Sequence, residues 1–211
     1  MNAVKPAVGL LACLVVLTAV VAAGWTAPLD QATAVAAAVH RTAFQSAVAI
    51  NVTALGSAPV IVIVAVLAAA YAVAAGRPRM VLALAWTPLA FLLDSAIKVL
   101  VHHPRPTEAM IALPPDFSFP SGHAVAASAL YVTLALLAAG MERRAGPRRL
   151  LITSSVLVAV LVAWSRVYLG VHYLTDVLGG LMLGTAGAIV ATRTVQDREQ
   201  TDRQALRRTD A

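Results

Sequence analysis

Six apolar runs, each close to the length of a bilayer crossing, leave this chain little choice of fold. They cover residues 7–25, 57–75, 80–101, 121–140, 150–164 and 173–191. A hydrocarbon core of roughly 30 Å is crossed by about 20 helical residues rising 1.5 Å each. With no water there to bond exposed N–H and C=O groups, a spanning segment must satisfy its backbone internally, as a helix does. The expectation is an all-α, polytopic membrane bundle of six transmembrane spans. The composition agrees, since 60% of residues are hydrophobic and 12% charged, against about a quarter charged in soluble domains.

The segments between the runs are distinct in character. Residues 30–50 interrupt weak apolar blocks with Asp30, Gln31, His40, Arg41 and Gln45, which predicts an amphipathic helix lying at the membrane interface. The first run also has the small residues Ala22 and Ala23 of a signal peptide. Its length and the interfacial Trp25 favour a retained span. Residues 102–120 carry Pro104, Pro106, Pro114, Pro115 and Pro120, a density that forbids a helix and favours a rigid extended loop. Residues 193–211 read as a charged tail, disordered or else a short surface helix, so that residues 1–192 form a single membrane-embedded domain.

The charge pattern sets orientation. Six spans return both termini to one side, where Lys5, Arg77, Arg79, Arg143, Arg144, Arg148, Arg149, Arg193, Arg198, Arg203, Arg207 and Arg208 would gather, twelve of the sixteen Lys and Arg residues. That side is expected to be cytoplasmic. The net charge of +6 then reflects topology, and no nucleic-acid partner is expected. Cys13 is the one cysteine, which excludes an intrachain disulfide and a cysteine metal site.

The remaining cations are Arg41, Lys98, Arg105 and Arg166, and the last three fall among the residues that carry chemistry. Lys98 is followed at Arg105 and Pro106 by a second cation. Pro120, Ser121, Gly122 and His123 open the fourth span. Ser165, Arg166, His172 and Asp176 flank the start of the sixth. The His172-to-Asp176 spacing places a carboxylate and an imidazole on one helical face. Asp94 and Lys98 share the same spacing, and a mutual ion pair accounts for Asp94.

This inventory suits a phosphoryl group. Arginine forks match its oxygens, lysine adds a point charge, and Gly122 lets a helix N-terminus approach an oxyanion. Phosphoryl transfer is largely positioning and electrostatic stabilisation, which three cations can supply without a metal. His172 is the better nucleophile because Asp176 can fix its tautomer, and His123 is then general acid and afterwards base. Ser165 reads as support, Glu108 and Asp116 as solvated loop acids with an option on head-group selection, and His102 and His103 as loop residues.

The three clusters, in order and spacing, resemble the signature of the type 2 phosphatidic acid phosphatase superfamily, which also contains vanadium haloperoxidases. The pattern Lys-x6-Arg-Pro, Pro-Ser-Gly-His and Ser-Arg-x5-His-x3-Asp is matched without departure over residues 98–176. The resemblance implies a phosphohistidine intermediate on His172, His123 as acid and base, and Lys98, Arg105, Ser121, Gly122 and Arg166 holding phosphate, with no metal or cofactor. It also implies six spans in the plasma membrane with the site at the extracytoplasmic face, acting on a lipid phosphate in the bilayer. Undecaprenyl pyrophosphate, phosphatidylglycerol phosphate and phosphatidic acid are the substrates to compare. A phosphotransferase handing the phosphoryl group to another lipid or sugar is the main rival. A vanadate-dependent oxidase and a non-catalytic carrier fit less well.

Overall fold

The structure is a computed structural model and describes residues 4–142 and 144–209, without the side chains of 203 and 205–209. Arg143, the side chains of Arg203, Arg207 and Arg208, and the last two residues of the expected tail lie outside the described residues. The described residues are helical and contain no strand. In order they form α1 (Lys5–Ala22), α2 (Ala27–Val39), α3 (Ala43–Ala54), α4 (Ala58–Ala74), α5 (Met80–Leu84) and α6 (Trp86–Val101). There follow α7 (Gly122–Ala127), a π-helical turn (Ser128–Val132), α8 (Thr133–Met141), α9 (Ala145–Tyr168) and α10 (Leu174–Thr209). Prolines stand in the first turn of α1, α2 and α4, where the missing N–H has no intrahelical partner to lose.

Five helical segments are long and apolar enough to cross a membrane: Lys5–Ala22, Met80–Val101, Gly122–Met141, Ala145–Tyr168 and Leu174–Asp202. The pair α3 and α4 passes the same test only when taken together and is bent by 48°, which makes six crossings if the pair counts as one broken span. Gly56 lies at the bend and packs closely there: a β-carbon would collide with Val162 of α9 and press on the backbone of His123. Residues 30–50 therefore differ from expectation: a break at His40–Thr42 divides them between two helices. Of the polar residues that suggested an interfacial face, Asp30 and Arg41 are used for contacts within the protein, Arg41 donating to the Tyr168 and Glu108 carbonyls, while Gln31 and His40 are exposed. Asp30 is buried, and its carboxylate accepts the backbone N–H of Thr175 at 3.1 Å and the Thr175 hydroxyl at 2.7 Å, which caps the start of α10 from another helix.

α10 is the axis of the bundle, packed by α1, α5, α6, α7, the π-turn, α8 and α9. Its small residues permit that crowding. A β-carbon at Gly184 would strike Ser128 and the α7 backbone, while the carbonyl of Gly184 accepts the Trp86 indole N–H at 3.0 Å. The segment expected to be a disordered tail continues this helix without interruption to Thr209. A packed, nucleated helix extends easily through residues that would not start one alone. At this end Arg77, Glu142, Arg148, Arg193 and Glu199 line an open cavity of about 440 Å³, and Arg79 pairs with Asp202.

Candidate active site

At the opposite end of the bundle, cations arrive from three elements. Lys98 sits in the last turn of α6 and is buried. Asp94, one turn earlier, lies 3.3 Å from its Nζ, so the two charges of this crossing neutralise each other as their spacing predicts. Left unpaired in lipid, each would cost several kcal/mol. Arg105 follows in the proline-rich loop and is held by directional bonds. Its Nε donates to the Asp116 carbonyl at 2.9 Å, Nη1 to the Val171 carbonyl at 2.9 Å and Nη2 to the Phe117 carbonyl at 3.3 Å.

Asp116 is not the solvated acid that its loop position suggests. One carboxylate oxygen stands 3.0 Å from Lys98 Nζ and the other 2.6 Å from Arg105 Nη2. The reason lies in the loop path: the Ser118 N–H donates to the His103 carbonyl at 2.9 Å, folding the far limb back over the near one. Partial burial opposes ionisation of Asp116, but the bonds and charges of Lys98 and Arg105 outweigh it and hold the acid below its ordinary range.

Arg166 enters from the last turn of α9, 5% exposed. Nη1 donates to the Thr53 hydroxyl of α3 at 2.8 Å, while Nε is buried without a partner. The chain leaves α9 through Gly170 at φ +69°, where a β-carbon would strike the Glu108 carbonyl and the Arg41 guanidinium. That turn delivers Val171 and His172 to Arg105. Ser165 faces its own helix, donating to the Val162 carbonyl at 2.6 Å, in keeping with a supporting role.

The cluster of Ser121, Gly122 and His123 begins α7. The Ser121 N–H donates to the Asp176 carbonyl at 2.9 Å, so α7 and α10 start side by side. Gly122 faces the Asp94–Lys98 ion pair: a methyl group there would lie 3.4 Å from Asp94 Oδ2 and 3.7 Å from Lys98 Nζ. The half-buried His123 is surrounded by the charges of Arg166, Lys98 and Arg105 and by His172. The Ser121 hydroxyl, like Arg166 Nε, is buried and unpaired. An unpaired buried polar group costs about 1–3 kcal/mol, so two unpaired donors on residues of this end are a reason to look for an anionic guest. Asp94 Oδ1 is also unpaired at this cluster, and nothing in the structure explains the unpaired hydroxyls of Thr26 and Thr87.

His172 has its hydrogen-bonding pattern dictated by its neighbours. Nε2 lies 3.3 Å from Arg105 Nη1. A guanidinium only donates, so Nε2 presents its lone pair and the proton resides on Nδ1. Nδ1 lies 3.2 Å from the Ser118 hydroxyl, whose own proton goes to Asp176 Oδ2 at 2.5 Å. The direct distance from Nδ1 to Asp176 is 3.5 Å. The expected histidine and carboxylate partnership is present, but His172 precedes α10 and Ser118 stands between the two groups. Burial, with Arg105 and Arg166 nearby, pushes the imidazole down to about 4 against the opposing pull of Asp176. His172 is therefore neutral at pH 7.

Asp176 is the hub of this half of the site. Besides Ser118 it accepts the Tyr173 N–H at 2.7 Å and His103 Nδ1 at 2.9 Å. Neither His103 nor Ser118 stands out in the sequence as a site residue. The available signal is only their position, two residues before Arg105 and two before Pro120. His102 instead packs edge-on against Phe117, with ring centroids 4.4 Å apart. All eight residues singled out from sequence, Lys98, Arg105, Ser121, Gly122, His123, Arg166, His172 and Asp176, thus converge on one end of the bundle. Among the described residues no group of three His, Cys, Asp or Glu side chains is arranged to hold a metal.

Comparison with known proteins identifies the family. The profile of the PAP2 superfamily matches residues 79–200. Phosphatidylglycerophosphatase B of Bacillus subtilis is 39% identical over 94 residues, 44% of this chain and 46% of that one. Undecaprenyl-diphosphatase of Sulfolobus acidocaldarius is 41% identical over 81 residues, 38% of this chain and 35% of the relative. The matches thus span less than half the length of these curated relatives. The crystal structure of a transmembrane PAP2-type phosphatidylglycerolphosphate phosphatase from Bacillus subtilis superposes with a TM-score of 0.76 at 29% identity. It covers 93% of this chain and 96% of that one.

Proposed function

The chain belongs to the PAP2 superfamily, and we propose that it is a membrane phosphatase that removes the terminal phosphate of a lipid phosphomonoester or pyrophosphate. The observation that carries this reading is the lone pair of a neutral, buried imidazole, His172 Nε2, aimed at Arg105 within a cluster of cations. Both named relatives are phosphatases of lipids by title, one of a phosphomonoester and one of a diphosphate. The basic end with Arg77, Arg148 and Arg193 faces the cytoplasm by the positive-inside rule, and both termini lie on that side. The site then opens at the extracytoplasmic face, and the lipid reaches it from the bilayer.

In this mechanism the phosphate settles among Lys98, Arg105 and Arg166, where Arg166 Nε and the Ser121 hydroxyl gain their missing partners. His172 Nε2 attacks phosphorus and forms an N–P bond as the bond to the leaving oxygen breaks, and His123 supplies that oxygen with a proton. The ring becomes cationic, and the Nδ1–H bond through Ser118 to Asp176 stabilises it. His123 then takes a proton from water, whose oxygen attacks phosphorus. The N–P bond breaks and free phosphate leaves with His172 restored. The cations neutralise charge on the equatorial oxygens throughout, so activity is expected to persist in EDTA; a strict magnesium requirement would contradict this step.

The test is phosphate release from a panel of purified lipid phosphates and pyrophosphates, with His172→Ala as control. One phosphate per lipid consumed supports hydrolysis. A shortfall of free phosphate would point to transfer onto another acceptor. No release from any lipid, or equal release by His172→Ala, overturns the reading.

A further inference from the structure

We propose that Asp116 determines specificity: its carboxylate occupies the phosphate subsite until a terminal, dianionic phosphate displaces it, and so excludes the monoanionic phosphodiesters of bulk phospholipids. The inference rests on the reading that this cradle receives a lipid's terminal phosphate. Asp116 presents its two oxygens to Lys98 Nζ and Arg105 Nη2 at 3.0 and 2.6 Å, the bidentate arrangement in which these cations would grip a phosphate. The cations lie beneath it, their side chains 8% exposed, while that of Asp116 is 46% exposed. It thus covers them from the open side.

The other partners of the two cations are structural and remain in place when Asp116 leaves. Lys98 keeps Asp94 at 3.3 Å. Arg105 keeps the carbonyls of Val171, Phe117 and Asp116 itself, the last belonging to the backbone. Among the described residues, only the Asp116 carboxylate both contacts the two cations and is itself exposed. A phosphodiester carries a single charge, so exchanging it for Asp116 replaces like with like and gives up a partner already tethered beside the cations. A terminal phosphate carries about −1.5 to −2 at pH 7 and outbids the carboxylate. In a bilayer where diesters vastly outnumber such headgroups, that threshold keeps Lys98 and Arg105 from being permanently occupied.

The full-length protein in mixed micelles provides the test. Phosphate release from a terminal lipid phosphate is measured with increasing phosphatidylglycerol, a phosphodiester, for wild type, Asp116→Asn and Asp116→Ala. Asn keeps the loop shape, and both variants keep the backbone carbonyl that receives Arg105. The expected result is that inhibition by the diester strengthens roughly tenfold, the scale of one charge-assisted contact, while KM for the terminal phosphate falls by much less. Inhibition and KM unchanged, both weakened together, or both tightened by one factor would each overturn the proposal. Direct binding of inorganic phosphate and dimethyl phosphate reads the same selectivity without turnover. An active wild type whose selectivity survives Asp116→Asn rejects this inference alone; a wild type that binds selectively but hydrolyses no lipid rejects the proposed function alone.

Discussion

The two polar ends of this bundle are both rich in cations, and they are built to different rules. At one end Arg77, Arg148 and Arg193 line an open cavity of about 440 Å³ together with Glu142 and Glu199. At the other, Lys98 and Arg166 are buried, and Arg105 is fixed by several directional bonds. The first arrangement needs only charge, and charge near a membrane surface sets orientation. The second fixes atoms, and fixed donors in a dry site are what stabilise developing charge. Counting cations does not separate the ends. Burial, hydrogen-bond direction and the unpaired atoms Arg166 Nε and Ser121 Oγ do.

Substitutions at matched positions sharpen the contrast. His172→Ala removes the lone pair proposed to attack phosphorus, and kcat of lipid phosphate hydrolysis is expected to fall by at least about 10⁴-fold. Arg166→Lys keeps the charge but not the fork, and kcat/KM should drop by roughly 10²-fold, the scale of one lost transition-state donor. Arg148→Lys at the other end should leave kcat/KM within about twofold, since no directional contact depends on it. Equal losses at both ends would erase the distinction between them.

A smaller effect is expected at Ser118. Ser118→Ala removes the hydroxyl between His172 Nδ1 and Asp176, and kcat should fall roughly tenfold with KM little changed, as for a group that acts on the imidazolium formed during reaction. A rise in KM with constant kcat would make Ser118 a binding residue instead. The smallest effect concerns stability. The folded chain keeps His172 neutral down to about pH 4, whereas an unfolded histidine titrates near 6.5. Between these values the unfolded state binds the extra proton, so stability falls as pH is lowered across that interval. The midpoint of thermal unfolding of wild type should therefore drop more than that of His172→Gln between pH 6.5 and 4.

Much of this organisation is legible in the sequence because membranes impose it. Long apolar runs specify spans, and short spacings such as Asp94 to Lys98 are legible because both residues ride one helix. Legibility fails where the chain is used across elements. Asp30 looks like a helix-start residue of an interfacial segment, yet it caps α10 through Thr175. Asp116, Ser118 and His103 belong to a loop whose return path is held by the Ser118 N–H on the His103 carbonyl and by Arg105 on the Asp116 and Phe117 carbonyls, and no local periodicity encodes such bonds. The helical extension of α10 to Thr209 is missed for the same reason: its composition is that of a solvated segment, and its order comes from the packed helix it continues.

The central claim is that His172, at the buried end, accepts the phosphoryl group. Rapid denaturing quench of the enzyme with a terminally labelled lipid phosphate, followed by peptide mapping, tests it most directly. The account predicts an acid-labile, base-stable label on the peptide carrying His172, absent from His172→Ala and chased off by water in the wild type. Label on another residue, or turnover with no labelled protein at any quench time, would contradict it.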